Sequence, residues 1–193
     1  MALSPEARRA LTRRLQAALA LVSARAIPLI DNAWARVDGV TDADHARFVA
    51  ATATTAEAAK AAAMNAAAGY YALLLGVRPA SLTPADVATL FDHLAPFLAA
   101  RKALADGYDF ADAMRIGGST AQASTRGLTI STARTTGDVF AAKAGVRVRG
   151  WERNAEANAC PWCRGLDGVI FDSSAAADFG HDRCNCTASP LAG

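Results

Sequence analysis

The chain has 193 residues, 52% of them hydrophobic with alanine prominent, and a formal net charge of +2. That length holds one substantial domain or two small ones, and the near-neutral charge argues neither for nor against a nucleic-acid partner, because local patches can still be basic. The longest apolar stretch, Ala61 to Leu75, is interrupted by Asn65 and Gly69, so no membrane span is expected.

Met1 is followed by Ala-Leu-Ser-Pro and a charged helix, without the apolar segment and cleavage site of a secretory leader, and none is expected. Ser4-Pro5-Glu6 reads as a helix start, with a capping hydroxyl, a proline in the first turn and an acid at the positive end of the dipole. Leu11, Leu15, Leu19 and Val22 then form one apolar face, with Arg8, Arg9, Arg13 and Arg14 mostly off it. Those arginines read either as a solvated face or as a contact for nucleic acid or an acidic partner. Pro28 is expected to end or kink the helix.

Val37 to Thr41 reads as a turn, and Thr41-Asp42-Ala43-Asp44 opens an alanine-rich helix that runs to Leu75. Such a helix builds no bulky core alone and must pack closely against a neighbour. Gly76 to Thr83, with Pro79 inside, breaks the run. Thr83-Pro84-Ala85-Asp86 repeats the capping signature, predicting a helix that bears Val87, Leu90, Phe91, Leu94, Phe97 and Leu98 and bends at Pro96. His45 and His93 read as packing or surface residues. After Asp106-Gly107, Phe110, Met114 and Ile116 mark a short helix, and Gly117-Gly118-Ser119-Thr120 reads as a hinge. A polar helix follows over roughly Thr120 to Ala144, with Arg126 and Arg134 near one face. The period then changes: Val146 to Trp151 alternates as a strand, Gly168 to Phe171 is a second candidate, and Cys186 to Pro190 a short third.

All four cysteines fall in this last region, as Cys160-Pro161-Trp162-Cys163 and His181-Asp182-Arg183-Cys184-Asn185-Cys186. Two knuckles of soft ligands in this form predict a structural zinc site, with Cys160, Cys163, His181, Cys184 and Cys186 as five candidates for four places. The sequence does not choose among His181, Cys184 and Cys186 for the place outside. Disulfides, a thiol redox pair and unligated thiols are the competing uses. The expected fold class is α+β: a helical, bundle-like region over residues 1–120, then a small zinc-stabilised domain with a short β-sheet over residues 121–193. Trp151, Trp162 and Phe171 are its expected core, with an exposed contact the equal alternative for Trp162.

Arg134-Thr135, the strand ending at Trp151-Glu152, the Cys-Pro-Trp-Cys turn, Leu166-Asp167-Gly168 and the terminal His181-x2-Cys184-x-Cys186 before Pro190 together resemble the C-terminal domain of phage head morphogenesis proteins, the MuF-like minor capsid family. The resemblance covers about Ala121 to Leu191. Asp182 and Asn185 stand where that family usually has proline and arginine. It implies a non-enzymatic structural protein of a tailed bacteriophage, made in the host cytoplasm and packaged in the head near the portal vertex. Its implied role is head assembly and DNA packaging or delivery, its partners the portal protein or major capsid protein and the packaged double-stranded DNA. Residues 1–120 are then the expected docking region. The alternative is a zinc-supported DNA-binding module using Arg147, Arg149, Arg153, Arg164 and Arg183 as one basic face. A zinc-supported nuclease is a further alternative, with His181-Asp182 its only neighbouring histidine–acid pair.

Overall fold

Ser4 begins the first helix as its sequence predicts, its Oγ accepting the Ala7 N–H at 3.2 Å, in a computed structural model that describes residues 3–78, 81–177 and 186–192. Helix α1 (Pro5–Trp34) does not stop at Pro28. The carbonyl of Ala24, which loses its helical donor there, lies with Pro28 on the exposed side, where water can take the bond. The apolar stripe therefore continues past Leu15 and Leu19 through Ala26 and Ile30 to Trp34.

Helix α2 (Asp42–Leu75) opens on a reciprocal cap: Asp44 N–H donates to Thr41 Oγ1 at 3.2 Å, and Thr41 N–H donates to Asp44 Oδ2 at 3.0 Å. The bonds from Thr41 hold the Asp44 carboxyl below its ordinary range. Gly76, at φ 66°, closes the helix in the left-handed conformation. Ala56, Ala59, Ala63 and Ala67 are buried, and these small side chains let neighbouring helices approach closely.

Beyond Thr83 the structure departs from the sequence pattern. The cap is real, but only a single 3-10 turn follows (Pro84–Asp86), and the next helix, α3 (Ala95–Ala105), begins much later. In the non-helical stretch between them Val87 and Phe91 are buried and Leu90 is 85% exposed. Thr89 reaches the body of the protein through a 2.8 Å hydroxyl contact with Thr132. Pro96 starts a helix rather than bending one. Without an N–H it belongs in the first turn, and Asp92 Oδ1 takes the Leu94 and Ala95 N–H groups instead. Pro79 lies outside the described residues.

Helix α4 (Phe110–Lys143) is continuous through Gly117 and Gly118, so the expected hinge is absent and the division at residue 120 falls inside a helix. Both glycines face the Trp34 indole, whose N–H donates to Met114 O at 2.8 Å. Gly137 makes the same kind of notch for Tyr71. The buried stripe of α4 is partly polar, with Thr125, Thr129, Thr132 and Thr136. Thr125 and Thr136 donate to carbonyls four residues back, at 2.8 and 2.7 Å, and Thr129 meets Ser23 Oγ at 2.8 Å, so these hydroxyls enter the core satisfied.

An antiparallel sheet of three strands follows in the order β2-β1-β3, from β1 (Val148–Asn154), β2 (Ile170–Phe171) and β3 (Thr187–Ala192). Two short helices, α5 (Pro161–Gly165) and α6 (Ser174–Ala177), lie in the connections. Trp151 pairs with Phe171 on one side and Pro190 on the other; proline is tolerated because β3 is an edge strand. Among the described residues the sheet shares a core with the helices. Trp151 and Ala188 join Leu15, Leu19, Tyr70, Tyr71 and Phe140 in one cluster. Tyr70 OH lies 3.1 Å from Thr12 Oγ1 and 2.5 Å from Ser189 Oγ, bridging α1, α2 and β3, and Tyr71 OH donates to Ala188 O at 3.3 Å. Of the three aromatics expected to form a core of their own, Trp151 is buried in this shared cluster, Phe171 is half-buried and Trp162 is exposed. The fold is thus mostly helical with a small C-terminal sheet, and no described helix is long and apolar enough to cross a membrane.

His45 and His93 meet in the aromatic cluster at the far end, 5.2 Å from Phe97 and 4.6 Å from Phe91 between ring centroids. Burial, and then the neighbouring His45, push His93 below its ordinary 6.5, while Asp92 and the Phe91 backbone pull weakly the other way. A base with a depressed folded pKa binds its proton first in the unfolded state, so stability should fall as pH drops below 6.5. Urea midpoints should be lower at about pH 5.5 than at pH 7.5, with a smaller difference in His93→Phe. Equal pH dependence in the two proteins would count against this assignment.

Candidate metal centre

The Cys-Pro-Trp-Cys segment folds as a knuckle because its residues cap one another. Cys160 is extended (φ −63°, ψ 163°), Pro161 takes the first helical position, and the Cys163 N–H donates to Cys160 Sγ at 3.4 Å. The Arg164 N–H then donates to Cys160 O at 3.0 Å, closing the turn. Asp167 Oδ1 accepts the Ala155 N–H at 2.8 Å, and Gly168, at φ 78°, donates to Arg153 O at 2.8 Å. Leu-Asp-Gly is therefore the turn that returns the chain to β2 and fastens the knuckle to β1.

Cys163 and Cys186 are buried and Cys160 half-buried, and the three pack in one cluster with Ala159 and Ala155. No disulfide joins these three to one another. His181 and Cys184 lie outside the described residues, as does Arg183. Among the described residues no three His, Cys, Asp or Glu side chains stand together as a metal-binding group. The chemistry of the donor set, three cysteines packed in one cluster with Cys160 Sγ accepting a backbone N–H, is that of a zinc site completed by a further donor from the second knuckle.

Of the arginines expected on one basic face, Arg183 lies outside the described residues and the other four differ in burial. Arg153 is fully buried, because on β1 it lies two residues from the buried Trp151 and shares its inward face. That spacing was present in the sequence and is the signal that marks it. Arg147 and Arg149 are exposed, and Arg149 borders a cleft with Leu73, Leu74 and Leu191. Arg164 borders a different cleft, of about 530 Å³, between α1 and the knuckle. There it joins Arg9 and Arg13, which the sequence had placed only on a helix face, and it meets Glu152, Glu156 and Asp167.

Arg134, of the Arg-Thr pair, lies near Asp138, whose carboxyl accepts a 2.6 Å bond from Ser174 Oγ and so ties α4 to α6. Burial raises the Asp138 pKa above its ordinary value, opposed by Ser174 and Arg134. Neither family models, curated proteins nor solved structures match this chain.

Proposed function

We propose that this chain is a structural head morphogenesis or minor capsid protein of a tailed bacteriophage, carrying a structural zinc on the cysteine cluster and no catalytic site. The reading places it in the head near the portal vertex, against the portal protein or major capsid protein, close to packaged DNA. The observation that carries it is the job each motif residue has. Cys160 caps the knuckle, Asp167 and Gly168 fasten it to β1, Trp151 fills the shared core and Pro190 sits on the edge strand. Each of these roles is structural, which suits a protein whose work is assembly. Cys160, Cys163 and Cys186 would hold zinc with His181 or Cys184, and the ion would pin the second knuckle to the first. A DNA-binding module is the weaker reading, because Arg153 is buried and Arg149 and Arg164 border separate clefts.

Protein purified without chelator should carry about one zinc per chain, with thiols that react only after the metal is stripped. Metal-free protein with two disulfides would remove the zinc. The assembly role is tested by co-expression with portal and major capsid proteins, where heads should retain the chain through salt washing. A chain absent from heads but bound to duplex DNA with strong salt dependence would transfer the reading to the DNA-binding module.

A further inference from the structure

Helices α1 and α2 meet in an open groove whose walls come from these two helices and the turn that follows α1. It has two adjoining sections, of about 380 and 350 Å³, which share Leu29 and Thr55. Val22 and Leu29 line it from α1, and Ala51, Ala58 and Ala62 from α2. Leu29 is 58% exposed, and Leu21, about two turns before it on α1, is 51% exposed. These leucines face water although the inward stripe of the same helix, Ala26, Ile30 and Trp34, is buried.

The rim of the groove is cationic. Arg25 borders one section, Arg36 and Arg47 border the other, and among the described residues no acid lines either. The nearby carboxylates are engaged elsewhere. Asp31 accepts from Gln122 Nε2 at 3.0 Å, Asp42 pairs with Arg101 at 2.7 Å, and Asp44 caps α2 and takes Arg47. Glu57 is exposed on α2 but lines neither section. Arg25 and Arg36, both exposed, thus have no carboxylate partner among the described residues.

These features select the occupant. Both walls are helices that bond their own N–H and C=O groups, so an extended segment would bury its main chain there without partners, whereas a helix satisfies its own. The alanines of α2 let a third helix approach closely. A polyanion such as duplex DNA would gain nothing from the apolar floor. A second copy presenting this same face would set its arginines against Arg25 and Arg36, and like charges brought together oppose association. Acidic side chains on the incoming helix would meet both arginines. From Val22 to Arg36 the groove runs about 21 Å, the length of a helix of about 14 residues.

We propose that the α1/α2 groove docks an amphipathic helix of a partner protein. Its apolar stripe packs on Leu29 and the α2 alanines, and its flanking acids pair with Arg25 and Arg36. This docking goes beyond the assembly role given above, and it requires neither the zinc nor a capsid partner.

Binding of a fluorescent synthetic helix to the full-length chain tests it. The probe has about 16 residues, leucines at i, i+3, i+4 and i+7 spacing, and glutamates on both flanks; a second probe carries lysines instead of the glutamates. The acidic probe should bind wild type saturably and at least about 10-fold more tightly than the basic one. R25E/R36E should invert that preference. Leu29→Ser, at an exposed position, should weaken the acidic probe by about 10-fold. The amide resonances that shift on binding should be those around Val22, Leu29, Ala58 and Ala62. Equal affinity for the two probes, no saturable binding, or shifts confined to another face would overturn the docking site. So would a wild-type dimer that Leu29→Ser dissociates, which would give the groove to a second copy. Duplex DNA that binds in place of the acidic probe and is lost in R25E/R36E would overturn it in favour of a nucleic-acid face. Heads that exclude the chain, with the acidic probe still bound in the groove, would end the assembly role and leave the docking site standing.

Discussion

Trp151→Ala should destabilise the whole protein by about 3–5 kcal/mol, with helices and sheet melting in one transition. Trp151 sits on the central strand between Phe171 and Pro190, and its ring packs in the cluster that contains Leu15, Leu19, Tyr70, Tyr71 and Phe140. The cavity left by the indole is therefore shared by α1, α2, α4 and the sheet. The polar bridges run the same way: Gln16 Nε2 donates to Asn154 O at 3.1 Å, and Tyr70 OH joins Thr12 to Ser189. Amide hydrogen exchange resolves the outcome. Amides in the middle of α2 and in β1 should lose protection together and by the same free energy. If β1 opened while α2 kept its protection, the C-terminal region would be an independent unit and the shared core would carry little stability. For the same reason a fragment ending near Thr120 is no substitute for the helical part, since it cuts α4 in two and removes Leu128, Ala133 and Phe140 from the core.

Gly117→Ala and Gly127→Ala should have opposite signs although both lie inside α4. A Cβ at position 117 would stand 2.3 Å from Trp34 Cζ2 and 2.9 Å from Pro96 O. The indole cannot easily yield, held by its hydrogen bond to Met114 O and by edge contacts at 5.5 Å to Phe48 and 5.0 Å to Phe97. Overpacking of this kind costs about 1–3 kcal/mol or more, which outweighs the gain of up to about 1 kcal/mol in helix propensity. At position 127 nothing lies within 4 Å of the added Cβ, so the propensity gain stands alone and stability should rise by about 0.5–1 kcal/mol. Denaturant midpoints of the two variants decide it. A Gly117→Ala protein as stable as wild type would mean that Trp34 does not hold the position described here.

Local signals were legible where the interaction that creates an element is itself local. The caps at Ser4 and Thr41 lie within three residues of the groups they satisfy, and both helices begin there. The strands around Trp151, Ile170 and Ala188 were marked by their alternation and by the Asp167-Gly168 turn. Where partners come from afar, the pattern misled. Gly117-Gly118 has the propensity of a break, but the ring that fills the notch belongs to Trp34, on a helix distant in sequence. The spacing of Val87, Leu90, Phe91 and Leu94 suits a helix, yet only Val87 and Phe91 are drawn into the core, and the Thr89–Thr132 contact holds the segment out of helical form. Arg153 belongs to both groups: its place two residues from Trp151 put it on the inward face, while its polarity suggested the surface.

Local signals specify an α+β chain with long helices followed by a small sheet, the residues that start the first two helices, and a cysteine knuckle whose own N–H···S bond shapes it. These follow from period, caps and turn chemistry, all of which act over a few residues. The tertiary structure alone decided that the sheet and the helices share one core, that glycines in α4 are seats for Trp34 and Tyr71, and that one arginine is buried against the cysteines. Those outcomes depend on which distant surfaces meet, because burial is a property of the packed whole and only the assembled neighbours determine whether a notch is filled or a charge is covered.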